Sequence, residues 1–168
     1  MTALQETLRG LLTEKTVELF GAYDVRCDFV EVPPSADKLM CGILGFTGDK
    51  LCGSVVMSAS PEAVASSNPI GDGATRGWIA ELTNQLVGRF KNELFRRGVE
   101  VAMSVPVVLT ATQLTPVTQS RPASFVVSKS DQTGTVTLWL EIEAEDGLVL
   151  AEPSEDTAIA AEGESFMF

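Results

Sequence analysis

An α/β (α+β) two-layer fold, with long helices packed on a largely antiparallel sheet, is predicted for this chain by three observations. Two long stretches carry apolar residues at helical spacing, and each is followed by short β-rich runs separated by turn residues. The hydrophobic content, 45% of 168 residues, is enough to build a core without disulfide or metal staples.

Taken in order, residues 3–22 place Leu4, Leu8, Leu11, Leu12, Val17, Leu19 and Phe20 on a helical repeat, with Gly21 as the stop signal. Extended segments are expected at 25–30, 39–46 and 51–57, broken by Pro33-Pro34 and by the turn Thr47-Gly48-Asp49-Lys50. A short helix at 61–66 and a loop rich in turn residues through Gly73 close the first half. The second half repeats the order: a helix at 76–97, an extended stretch at 99–105, then strands at 107–112, 124–128 and 133–142. The final hairpins of the two halves are alike, each carrying an Asp shortly before a strand glycine, Gly53 in one and Gly134 in the other. This suggests internal duplication, and both glycines are expected to serve strand turns or close backbone approach.

Composition narrows the chemistry. The chain has no histidine, which excludes histidine-based acid–base catalysis, catalytic triads and the usual zinc sites. Cys27, Cys41 and Cys52 are odd in number, lack C-x-x-C spacing and fall in predicted strands, so they are expected to be reduced and structural. Nine of the 23 acidic residues lie after residue 140 and none of the 12 basic ones does, leaving 14 acids against 12 bases in the remainder. Such a body offers no basic surface for nucleic acid or an anionic membrane. No apolar run reaches membrane-spanning length, and Glu6, Glu14 and Glu18 interrupt the N-terminal apolar positions, so a cytoplasmic location is expected. The division expected is one domain over residues 1–146 and an acidic, flexible tail over 147–168, whose Phe166-Met167-Phe168 terminus could dock.

The long second helix is the informative element. At about 100° per residue, Ile79, Leu82, Leu86, Phe90 and Leu94 share one side, which must face the sheet. Gly77, Glu81, Asn84, Gly88 and Lys91 line the opposite side, with Phe95 completing the row. Asparagine and glycine are poor helix formers, and a glycine within a helix costs roughly 1 kcal/mol against alanine, so propensity does not account for Asn84 and Gly88. Glu81 and Asn84, at i and i+3, project side by side, and Gly88 bares the backbone for a close-approaching partner. A carboxamide can orient a water and a carboxylate can grip a lysine, which would complete a phosphoryl site half-built by a partner. An E-x-x-N pair alone is more often just a solvated helix face. Trp78 reads as a packing residue, and Arg96-Arg97 as favourable to the helix dipole.

Glu81-Leu-Thr-Asn84-Gln-Leu-Val-Gly88, followed by Pro106, resembles the E-x-x-N…P signature of the CheC/CheX/FliY chemotaxis phosphatases, most closely the CheX branch. The resemblance implies a CheC-like fold from the first helix through the strand near Trp139. It implies that Asn84 positions hydrolytic water and Glu81 pairs with a lysine of a phosphorylated CheY-like receiver domain. Gly77, Gly88, Lys91 and Pro106 are then partner-facing residues. The resemblance also implies no cofactor in this chain, Mg²⁺ on the phosphorylated partner, and a homodimer. Gly77 stands where the family pattern has Asp or Ser, and the first helix has no asparagine, so one site per chain is expected. The alternative is a non-catalytic dimeric scaffold of the same fold.

Overall fold

The computed structural model describes residues 1–32, 35–70 and 75–155. Its elements run α1 (Ala3–Gly21), β1 (Arg26–Val30), β2 (Leu39–Thr47), β3 (Leu51–Ala59), α2 (Pro61–Ser67), α3 (Thr75–Arg96), β4 (Ala102–Met103), β5 (Val107–Ala111), β6 (Ala123–Lys129) and β7 (Gln132–Ala144). All described strand pairings are antiparallel, in the order β1-β6-β7-β3-β2, with β4 and β5 both pairing with the far edge of β2. The three helices pack on one face of this sheet.

That order carries the duplication expected from the hairpins. β2–β3 and β6–β7 sit back to back, joined through β3 and β7, and each hairpin is flanked by a strand from the other half: β5 beside β2, β1 beside β6. Alternation decides which face is buried. Met40, Leu44 and Phe46 of β2, Val55 and Met57 of β3, and Val136, Leu138 and Leu140 of β7 point under the helices and are at most 8% exposed. Helix α3 supplies the other half of this core through Ile79, Leu82, Leu86, Phe90 and Leu94, all fully buried, the stripe expected from the wheel. Burying each stabilises by roughly 1.5–3 kcal/mol.

Glycines let the layers meet. At Gly42 of β2 a methyl group would overlap Thr83 of α3, whose hydroxyl donates to the Ile79 carbonyl at 2.7 Å. At Gly134 it would overlap the backbone of Ala63 and the Ser60 hydroxyl at the start of α2, and at Gly53 the Glu141 carbonyl and the Phe46 ring. Close approach therefore explains both hairpin glycines.

Helix ends differ from expectation in instructive ways. Helix α1 starts with a capping box: the Thr2 hydroxyl accepts from the Gln5 N–H at 3.2 Å, and the Thr2 N–H donates to Gln5 Oε1 at 2.7 Å. Gly21 is its last helical residue, as expected, but does not itself take the left-handed turn. The left-handed residue is Asp24, at φ 57°, and the Val25 N–H reaches back to the Phe20 carbonyl at 3.0 Å. Helix α3 ends the same way on Gly98, at φ 80°, with Val99 N–H on the Leu94 carbonyl at 2.9 Å. Beyond it, the expected extended stretch at 99–105 contracts to two strand residues, because Val99 and Val101 turn inward to the core at 2% and 3% exposure.

Arg96 and Arg97 do more than complement a dipole. Both bind the buried Glu93 carboxylate, at 3.2 and 2.8 Å. The start of the acidic segment also departs from a free tail: Leu148 and Leu150 pack on the core, and the N–H groups of Ala151 and Ser154 donate to the Arg97 and Arg96 carbonyls at 3.0 and 2.9 Å. The Pro33-Pro34 break, Gly71 to Gly73 and the Phe166-Met167-Phe168 terminus lie outside the described residues.

The three cysteines are free thiols on strands. Burial, with the Asp28 carboxylate adding to it, pushes Cys27 up to about 12, and burial raises Cys41 despite a hydrogen bond with Ser58. Thiolate is the reactive form, so at pH 8 both should be alkylated by iodoacetamide at least about 10-fold more slowly in the native protein than in urea. Peptide mapping by mass spectrometry reads this directly, and equal rates would contradict the burial. Gly42→Ala is expected to destabilise the fold by about 1–3 kcal/mol in urea titrations, because Thr83 and the α3 backbone must move.

Candidate functional site

With its apolar stripe committed to the sheet, α3 turns the opposite row outward. Gly77 and Glu81 are exposed, Asn84, Gly88 and Lys91 are half-buried, and Phe95 is 37% exposed. The connection between β4 and β5 runs beside the N-terminal half of this row. It is held there by Ser104, whose N–H donates to the Gly45 carbonyl at 2.9 Å and whose hydroxyl accepts from the Gly45 N–H at 3.0 Å. Pro106 follows with a restricted φ and no N–H, so it forms a wall that makes no demand for a donor's partner.

Between helix and connection lies a cleft of about 250 Å³, lined by Gly77, Ala80, Glu81, Asn84, Ser104, Val105 and Pro106. Four of the six predicted site residues meet there. Gly88 and Lys91 do not line it; they continue the same helix row beyond it. Val105 and Val107 extend the cleft's rim as an apolar lip, 83% and 59% exposed. A larger hollow of about 370 Å³ opens near the start of α2, but its buried Ser60 hydroxyl already accepts from Ala63 and Thr135 N–H groups.

The two polar side chains that α3 gives the cleft are differently prepared. The Glu81 carboxylate accepts from Gln85 Nε2 at 2.8 Å, whereas among the described residues no hydrogen bond engages the Asn84 carboxamide. That carboxamide can still accept from one group and donate to another. Among the described residues Glu81 is the only carboxylate lining the cleft, too few donors to hold a divalent cation by itself. No group of three or more His, Cys, Asp or Glu among the described residues could hold a metal ion. Among the described residues nothing requires glycine at 77 or 88, since a methyl at either would meet none of their atoms within 4 Å. Sequence reading missed Ser104 and Val105, because a Ser in an apparently continuous extended run gives no sign that the strand stops to clasp its neighbour. The signal for Gln85 is its i,i+4 spacing from Glu81, which places the two side chains on one helix face.

A family model described as chemotaxis phosphatase CheX matches residues 40–128, more than half of the chain and a span that includes α3 and Pro106. The chain belongs to the CheX family of chemotaxis phosphatases. Among solved structures, it is similar to a CheC-like superfamily protein from Shewanella sp. PV-4 at 17% identity, over 84% of this chain and 99% of that one, with a TM-score of 0.60. A CheX chemotaxis protein from Vibrio vulnificus matches at 14% identity, over 77% and 96% of the two chains, TM-score 0.59. The CheX of a CheX–CheY–BeF3–Mg²⁺ complex from Borrelia burgdorferi matches at 12%, over 79% and 96%, TM-score 0.55. At these identities the likeness is one of fold, the CheC-like fold expected from the sequence. A search of curated proteins gives no match. Among the described residues, no helix is long and apolar enough to cross a membrane.

The open surroundings of Gly88 give a stability test of the CheX-family helix. Gly88→Ala should raise the unfolding free energy by about 0.5–1 kcal/mol, read as a higher melting temperature. Destabilisation would mean that the chain itself needs the glycine.

Proposed function

We propose that this protein hydrolyses the phosphoaspartate of a CheY-like receiver domain, with Asn84 orienting the attacking water and Glu81 gripping a lysine of the receiver. The observation that carries the reading is the cleft that gathers Glu81, Asn84 and Pro106 while leaving the Asn84 carboxamide unengaged. The one hydroxyl in the cleft's described lining, Ser104, is engaged as acceptor of the Gly45 N–H, and no covalent nucleophile is needed. A water held by the amide oxygen, with the amide N–H turned toward the phosphoryl group, gains by positioning and by electrostatic stabilisation of developing charge. In this reading the Mg²⁺ belongs to the receiver, in keeping with the single carboxylate among the described residues of the cleft. The partner named in the Borrelia burgdorferi complex is CheY, the kind of partner proposed for this chain.

Gly77 and Gly88 fit the proposal as places where the receiver's backbone comes close, and Lys91 and the Val105/Val107 lip as its periphery. A cytoplasmic setting goes with a receiver-domain partner. Homodimerisation through the sheet belongs to the same proposal, supported by edge strand β1 with Phe29 49% exposed. Membership of a phosphatase family speaks against the non-catalytic scaffold.

The test is inorganic phosphate release from receiver domains charged with acetyl phosphate. Asn84→Ala is expected to lower kcat by about 100-fold with little change in KM, whereas Glu81→Ala should chiefly raise KM. An Asn84→Ala protein as active as wild type would sink the assignment. Gly88→Ala should raise KM severalfold although it stabilises the free protein, separating docking from folding.

A further inference from the structure

Behind the cleft, a line of hydrogen bonds runs from the end of α1 to Glu81. The Tyr23 hydroxyl donates to Gln85 Oε1 at 2.8 Å, and Gln85 Nε2 donates to Glu81 Oε1 at 2.8 Å. The direction of this line follows from chemistry. An ionised carboxylate only accepts, so the Gln85 amide must present its NH₂ to Glu81; its oxygen then faces Tyr23, and the phenol must donate. No other polarity satisfies all three groups.

The origin of the line is anchored from several sides. The Tyr23 ring meets the Trp78 ring edge-on, with centroids 5.1 Å apart, and the buried Trp78 donates its indole N–H to the Ser67 hydroxyl at 3.0 Å. The Tyr23 carbonyl accepts from Lys129 Nζ at 2.8 Å, and Asp24 directly after it sits in the left-handed turn that ends α1. Tyr23 is thus fixed by α1, α2, α3 and the β6–β7 hairpin, whereas Glu81 is an exposed side chain on a helix and free to rotate unless something holds it.

We infer that Tyr23 and Gln85 are positioning residues that hold the Glu81 carboxylate in its docking rotamer before the receiver arrives. The inference rests on the proposed phosphatase reading. An ordered carboxylate loses less rotamer freedom on capturing a lysine, so the relay acts on association and leaves the water-orienting step of Asn84 alone.

Tyr23→Phe removes only the phenol oxygen and keeps the ring contact with Trp78. It should raise KM for phosphorylated receiver about 3-fold, and Gln85→Ala about 10-fold, with kcat within twofold of wild type in both. Gln85→Met restores the length and packing of the side chain without its amide. It should behave as Gln85→Ala if the relay operates and as wild type if Gln85 merely fills space. In the protein alone, the Gln85 side-chain amide should give an ordered NMR signal that loses order in Tyr23→Phe and in Glu81→Ala.

Wild-type KM in Tyr23→Phe and Gln85→Met, beside a raised KM in Glu81→Ala, would overturn the relay and leave the phosphatase reading standing. A wild-type protein that releases no phosphate from any receiver would overturn that reading and the relay's docking role with it. An amide equally mobile in all variants overturns the relay whatever the kinetics.

Discussion

Thr83 sits over Gly42 with no room for another carbon between them, and this close approach of α3 to β2 decides where every group near the cleft can be. Once the helix is seated, its rotation is set by the buried stripe from Ile79 to Leu94, and the 3.6-residue repeat carries Glu81 and Asn84 to the opposite side. The same strand, β2, holds the other wall, since its Gly45 binds Ser104 in front of Pro106. Both walls of the cleft therefore hang on one strand, β2, which sets their separation.

The far end of α3 is held by charge. Glu93 is 6% exposed, and a carboxylate so placed is costly unless it is paired. Arg96 and Arg97 close on it from the next turn, and Lys15 of α1 lies at 3.9 Å, so the cluster ties the two long helices together. The carbonyls left over at the helix end are taken by residues 151 and 154, which explains why a segment with a tail's composition begins as part of the body. The cleft-lining half of α3 is tied instead by neutral hydrogen bonds, from Trp78 to Ser67 and along the line from Tyr23 through Gln85 to Glu81.

Much of this was legible in the sequence because it follows from periodicity. The α3 stripe, its outward row and the two hairpins read directly from the spacing of apolar residues, although Val17 on the α1 repeat is 42% exposed. Contacts between distant segments were not legible. Nothing in a sequence says that Ser104 will clasp Gly45, that Asp24 rather than Gly21 will take the left-handed turn, or that Tyr23 will reach Gln85. In each case the deciding energy is a hydrogen bond across elements whose meeting depends on the completed fold. The E-x-x-N pair lay between the two cases, since its exposure could be read but its pairing with the Pro106 wall could not.

The exchange of flanking strands between the two halves bears on how such a molecule comes into being. β1 finds its partner in β6, so Cys27 waits for Val127, roughly 100 residues later in the chain. Neither half carries all the strands of its own side of the sheet, and neither can close its layer alone. During synthesis the first half must emerge with β1 unpaired and the helix-facing side of β2 and β3 uncovered, since α3 comes later still. The symmetry that looks like two small domains joined in tandem instead makes a single unit, closed by pairings such as β1 with β6 that span a long stretch of chain.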